Sequence, residues 1–142
     1  MSNPLYDALI APHRGRETPF LHLTDGRTLS HGDFVELAGR YASVLDTLGV
    51  VPGDRVAVHI PKSADALALY AGCLQAGAIY LPLNTAYTAT ELEYFIADSG
   101  ATLVVCDPSE TDALSAIVHD NGAALRTMGA DGEGTLKDAA RD

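Results

Sequence analysis

Leu74-Gln75-Ala76-Gly77-Ala78-Ile79-Tyr80-Leu81-Pro82-Leu83-Asn84-Thr85-Ala86-Tyr87-Thr88 decides the fold, because a helix stop, a strand and a helix start follow one another without a spacer. Gly77 ends an apolar helical run. Ile79 to Leu83 is short and apolar throughout, the signature of a strand covered on both faces in a parallel sheet. Thr88-x-x-Glu91 is a capping box that opens the next helix. The stretch is one strand–helix unit of an α/β fold.

The pattern extends in both directions. Upstream, Arg55 to Ile60 is a β-branched strand after Pro52-Gly53-Asp54, and Ser63 caps a helix from Ala64 to Ala76. Downstream come a helix from Thr90 to Asp98 and a strand from Thr102 to Cys106. Asp107-Pro108-Ser109-Glu110 then supplies cap, first-turn proline and acid for a helix ending about Asp120, with a short strand at Ala124 to Arg126. Ser30 caps a long helix through Leu48, with Asp33 at its third position and Gly49 as its stop. This alternation predicts an open parallel sheet with helices on both faces.

Residues 1–29 form a separate preface. Asn3-Pro4 starts a docking helix whose apolar stripe is Leu5, Leu9 and Ile10, stopped by Pro12. Phe20 to Leu23 and Thr28-Leu29 flank Asp25-Gly26, which predicts a β-hairpin with a two-residue type I′ turn. Residues 30–128 hold the βα units. Residues 129–142 are a loop followed by a helix start, Thr135 to Arg141, with little room to pack, as expected of a chain cut from a longer one.

Composition narrows the partners. A chain of 142 residues that is 47% hydrophobic buries a core. Its net charge of -10, from 19 acidic and 9 basic residues, repels nucleic acid and anionic membrane. Cys73 and Cys106 each sit in an apolar run and read as buried reduced thiols, too few for a metal site. With neither a leader pattern nor an apolar run of about 20 residues, the expectation is a soluble cytoplasmic protein.

Motif chemistry is absent. The chain has no phosphate-binding glycine loop, nucleophile elbow, H-E-x-x-H or C-x-x-C. No catalytic and no metal residue is assigned. His13, His22, His31, His59 and His119 are scattered, and only His59, near the carboxyl end of a strand, lies where open α/β sheets bind ligands. Lys62, beside the Ser63 cap, is placed to meet an anion at a helix start. The best site candidate is the loop Asn84, Thr85, Ala86, which leaves a strand at that same edge and enters a capped helix. Ordinary turn chemistry, with Tyr87 packing as a staple, explains the same residues.

Leu29-Ser30-His31-Gly32-Asp33-Phe34 and Gln75 through Tyr87 resemble, in order and spacing, the first and second core motifs of the adenylate-forming acyl-CoA synthetases. The wording Leu81-Pro82-Leu83-Asn84-Thr85-Ala86-Tyr87-Thr88 and the segment Cys106-Asp107-Pro108-Ser109 are similar to the branch that activates malonate. The resemblance implies the opening portion of the large N-terminal domain of an AMP-forming ligase. In that family a carboxylate attacks the α-phosphorus of Mg-ATP and the thiol of coenzyme A then displaces AMP. It implies ATP, Mg2+ and CoA for the parent, none held tightly by this portion, and malonate as the acid. It places Asn84, Thr85 and Ala86 near the nucleotide end of coenzyme A, and the catalytic loop, lysine and acid-binding arginines beyond Asp142. Former core left uncovered would favour self-association. The rival reading is a stand-alone flavodoxin-like binding or receiver-type module, with Asp107 as a partial match to a phosphoacceptor; a ligand-free interaction domain is the third.

Overall fold

The computed structural model describes residues 3–139. Four parallel strands, β3 (Arg55–His59), β4 (Ile79–Pro82), β5 (Leu103–Cys106) and β6 (Ala124–Thr127), form one sheet in the order β4-β3-β5-β6. A hairpin of β1 (Pro19–His22) and β2 (Thr28–Ser30) stands apart from it. The helices are α1 (Pro4–Leu9), α2 (His31–Thr47), α3 (Ala64–Ala76), α4 (Ala89–Ser99), α5 (Thr111–Asp120) and α6 (Thr135–Asp138).

Strand alternation divides the core in two. Val56, Val58, Leu103 and Val105 face one way and pack with α2, α3 and Leu136 of α6. Ala57, Val104 and Cys106 face the other way and pack with Leu92 and Ile96 of α4 and Leu114 and Val118 of α5. The expected layering, helices on both faces of an open parallel sheet, is the architecture observed.

The helix signals hold at atomic detail. Ser30 and Asp33 exchange side chain-to-backbone bonds as a capping box, and Thr88 and Glu91 do the same. Gly49, at φ 81°, ends α2 with Val50 N–H donating to Leu45 and its own N–H to Asp46, satisfying carbonyls that the last turn leaves open.

Five expectations are corrected. In α1 the buried residue is Tyr6, 5% exposed, while Leu5 and Leu9 face solvent; the aromatic ring takes the inward position and its hydroxyl meets Arg14 at 3.4 Å. The hairpin turn is not type I′, which needs a positive φ at both central residues; only Gly26 has one, and no residue other than glycine does among the described residues. Instead, Gly26 N–H donates to Leu23 and Leu23 N–H donates to Arg27, a three-residue turn in which the Asp25 carboxylate holds the Arg27 amide. The first turn after Asp107 is a 3-10 turn (Pro108–Glu110) before α5. Ile79 to Leu83 is not a covered strand: β4 lies at the sheet edge and Ile79 is 47% exposed. Ile79 and Leu83 donate inward to Asp54 and Val58, so the N–H that Pro82 lacks would have pointed outward, where proline costs the ladder nothing. Finally, the helix start at Thr135 does pack, with Leu136 fully buried; Arg141 lies outside the described residues.

Both thiols are buried, one in each half of the core. Burial pushes Cys73 from 9.0 up to about 12 and Cys106 up to about 11. Between the ordinary and raised values the folded chain keeps protons that the unfolded chain has released. Stability is therefore full below pH 9.0 and falls as pH rises toward those raised values. Urea midpoints at about pH 8 and about pH 10.5 should differ, and Cys73→Ala should narrow the difference.

Candidate functional site

The carboxyl edge of the sheet gathers the ends of all four strands, the position at which open α/β folds take ligands. Asn84, Thr85 and Ala86 leave β4 there and are exposed. The Asn84 side-chain oxygen accepts the Ala86 N–H at 2.9 Å, and the Asn84 carbonyl accepts the Tyr87 N–H at 3.0 Å. Thr88 N–H donates to Glu91 at 2.7 Å. The amides of Ala86, Tyr87 and Thr88 are thus spent within the turn. The Thr85 amide and hydroxyl have no protein partner among the described residues. Tyr87 stacks on Phe95 with ring centroids 4.9 Å apart, pinning the loop to α4. The turn is held by these contacts and has no basic side chain of its own.

His59 ends the central strand β3 on the face of α4 and α5, pairing in register with Cys106. It is 4% exposed and neither ring nitrogen has a partner among the described residues. Its carbonyl accepts the Asp107 N–H at 3.2 Å. The Asp107 carboxylate accepts the Ser109 hydroxyl at 2.6 Å and its amide at 3.0 Å, bonds that hold it below the usual carboxylate range. Committed to capping, it does not stand free as a phosphoacceptor would. The other histidines do not join His59: His13 and His31 stack on each other at 4.8 Å beside the hairpin, and His119 is at the end of α5. Among the described residues no group of three or more His, Cys, Asp or Glu converges as metal ligands, and no helix is long and apolar enough to cross a membrane.

A cavity of about 500 Å³ opens at the same edge but on the opposite face from His59. The hairpin tip, Lys62 to Asp65 and the segment 130–137 bound it. Lys62 stands beside the Ser63 cap, a local feature of the sequence; its neighbours across the cavity, Arg27 and Lys137, are 35 and 75 positions away, and no local signal joins them.

With this geometry in view, the chain matches the AMP-binding enzyme family over residues 10–140. It is 36% identical over 123 residues to the long-chain-fatty-acid–CoA ligase FadD13 of Mycobacterium tuberculosis, covering 84% of this chain and 24% of that protein. To a feruloyl-CoA synthase of an Amycolatopsis species it is 33% identical over 114 residues, covering 80% of this chain and 22% of the relative. Among solved structures, ATP-bound MatB from Rhodopseudomonas palustris superposes with a TM-score of 0.93 at 43% identity, covering 99% of this chain and 28% of that one. The chain therefore spans about a quarter of the length of these relatives. The receiver-type alternative is not favoured by any of them. By its match over nearly its whole length, the chain belongs to the AMP-binding enzyme family, and both curated relatives compared above are ligases that form CoA thioesters.

Proposed function

We propose that this chain is the opening portion of the large N-terminal domain of an AMP-forming ligase that joins malonate to coenzyme A at the expense of ATP. The observation that carries the reading is the likeness to MatB, a malonyl-CoA synthetase, over 99% of the chain at 43% identity, against 36% and 33% for the fatty-acid and feruloyl ligases.

The chemistry has two halves. Malonate attacks the α-phosphorus of ATP, releasing diphosphate and forming an acyl-adenylate; the thiol of coenzyme A then attacks the acyl carbon and AMP departs. Charge developing on the phosphoryl oxygens is met by Mg2+ and a lysine in the family's chemistry. The part assigned to this chain is binding. The Asn84-Thr85-Ala86 turn, held by its own hydrogen bonds and by Tyr87 on Phe95, presents the unspent Thr85 amide and hydroxyl toward the nucleotide end of coenzyme A. Exposed Leu67, Tyr70 and Ile79 beside β4 are the surface through which the isolated chain would self-associate.

The test is malonate-dependent AMP release in the presence of ATP and coenzyme A, assayed on a full-length ligase carrying this sequence and on the 142-residue chain. Release is expected only from the longer form. Thr85→Trp there should raise KM for coenzyme A about tenfold while leaving ATP–diphosphate exchange unchanged. Turnover of a long-chain fatty acid or ferulate in place of malonate would overturn the acid assignment, and unaltered coenzyme A kinetics would remove Thr85 from the site.

A further inference from the structure

We infer that Asn121 is a site of spontaneous covalent modification, converted to aspartate and isoaspartate through a cyclic imide, and that opening of the last turn of α5 gates the reaction. This chemistry is independent of the acid and the coenzyme that the parent ligase uses.

Neighbours select the residue. The chain has three asparagines, Asn3, Asn84 and Asn121, and ring closure needs the backbone nitrogen of the following residue as nucleophile. Proline follows Asn3, and its nitrogen carries no proton to lose. Thr85 follows Asn84 and crowds the approach with a branched β-carbon, while the Asn84 side-chain oxygen is held by the Ala86 amide. Gly122 follows Asn121. Both are exposed, and a β-carbon built on Gly122 would meet nothing within 4 Å, so its nitrogen is unhindered. In the reaction the Gly122 nitrogen bonds to the Asn121 Cγ and the bond from Cγ to its amide nitrogen breaks. Ammonia leaves with the proton that Gly122 gives up. Water then opens the ring at either carbonyl, giving aspartate or the isoaspartate whose main chain runs through Cβ and Cγ.

The closed fold is turned away from this path. In the ring the Gly122 nitrogen must eclipse the Asn121 Cβ about the Cα–C bond. Asn121 has ψ 8°, which eclipses that nitrogen with its own backbone nitrogen instead. Three hydrogen bonds keep it so: Gly122 N–H donates to His119 at 3.0 Å, Ala123 N–H to Val118 at 3.1 Å, and the Asn121 side-chain amide to Ile117 at 2.8 Å. The last of these also occupies the leaving group. All three belong to the last turn of α5 and its exit, anchored by the buried Val118, so opening of that turn frees the nitrogen without global unfolding. The product holds the turn less well. A carboxylate at position 121 has no proton to donate to the Ile117 carbonyl, and it adds negative charge beside Asp120 at the negative end of the helix. Isoaspartate also lengthens the link from α5 to β6 by one main-chain atom.

The experiment is incubation of the 142-residue chain at mildly alkaline pH, in native buffer and in guanidinium chloride, read by intact mass and peptide mapping. The mass gain of an amide-to-acid exchange is expected at Asn121, at least about tenfold faster in the denaturant. Val118→Ala should raise the native rate at least about threefold and leave the denatured rate unchanged. Cys73→Ala, in the opposite half of the core, should leave both rates unchanged. If circular dichroism shows that Val118→Ala does not fold, Ile117→Ala, at a half-buried position of the same turn, takes its place. Asn121→Gln, which would have to close a larger ring, should gain no mass at this site. Asn121→Asp should unfold at a lower denaturant concentration than the parent chain. The inference is overturned by no mass gain at Asn121 in the denaturant, by equal native and denatured rates, or by faster modification at Asn84. Cys73→Ala accelerating the reaction as much as Val118→Ala, or Asn121→Asp as stable as the parent, would overturn it too.

Discussion

Replacing Gly72 by leucine is expected to leave the chain without a cooperative fold at 25 °C, and replacing it by alanine to cost about 2 kcal/mol. Gly72 lies in α3 where that helix crosses α2. A β-carbon built there would stand 2.9 Å from the Ala38 carbonyl oxygen, 2.9 Å from the Tyr41 β-carbon and 3.1 Å from the Ala42 nitrogen. Two of the three obstacles are backbone, so no rotamer change relieves them and the helices must separate. Separation would loosen the contact on which Ala38, Tyr41, Leu45, Ala68 and Leu69 are buried. It would also strain the bond from the Tyr41 hydroxyl to Asp65, the one side-chain hydrogen bond joining these two helices among the described residues. Alanine is the better helix former by about 1 kcal/mol, yet a methyl forced against backbone costs about 1–3 kcal/mol, and a rigid crossing puts the cost at the upper end. Urea unfolding followed by circular dichroism decides the matter. An alanine variant as stable as the parent would show that position 72 does not set the crossing distance.

That crossing is set by residues far apart in the sequence, which local signals do not join. Caps and stops are local, so Ser30 with Asp33, Thr88 with Glu91, and Gly49 and Gly77 announced their helices within a few residues of each end. Gly72 gave no such sign, because its reason lies on another helix. The turn at Asp25-Gly26 was recognised as a turn, but its type depends on whether Asp25 adopts a positive φ, and the bond from its carboxylate to the Arg27 amide holds it out of that region. An apolar run such as Ile79 to Leu83 states that a strand is buried somewhere, not whether it has one neighbour or two. The Asn84-Thr85-Ala86 turn was legible for a related reason: an Asx turn and a capping box use residues within eight positions of one another. The cavity of Lys62 and Lys137 was legible only by half. The helix start beside Lys62 is a local feature, whereas Arg27 and Lys137 arrive through the hairpin and the segment after β6.

Leu136→Ala is expected to lower stability by about 3 kcal/mol, a cost normal for a leucine cut back inside a packed core. The size of the effect contradicts what the end of the sequence suggests, since a four-residue helix after a glycine-rich loop has the look of a fraying tail. Its anchorage is threefold. Leu136 is fully buried in the same cluster as Val56, Val58 and Leu103, so truncating it opens a cavity against the sheet itself. Thr127 and Thr135 exchange hydrogen bonds, each hydroxyl accepting the other's backbone N–H, at 2.9 and 3.0 Å, which ties α6 to the last residue of β6. Gly134, at φ 135°, lies so close to Thr127 that a β-carbon there would collide with it, so the chain enters α6 along a path open only to glycine. Asp138→Ala, exposed on the same helix, should stay within about 0.5 kcal/mol of the parent chain. A Leu136→Ala loss under about 1 kcal/mol would mean that α6 rests on the core without belonging to it. A loss near the expected value would make residues 127–136 part of the cooperative unit, and it would fix one wall of the cavity that Lys137 lines.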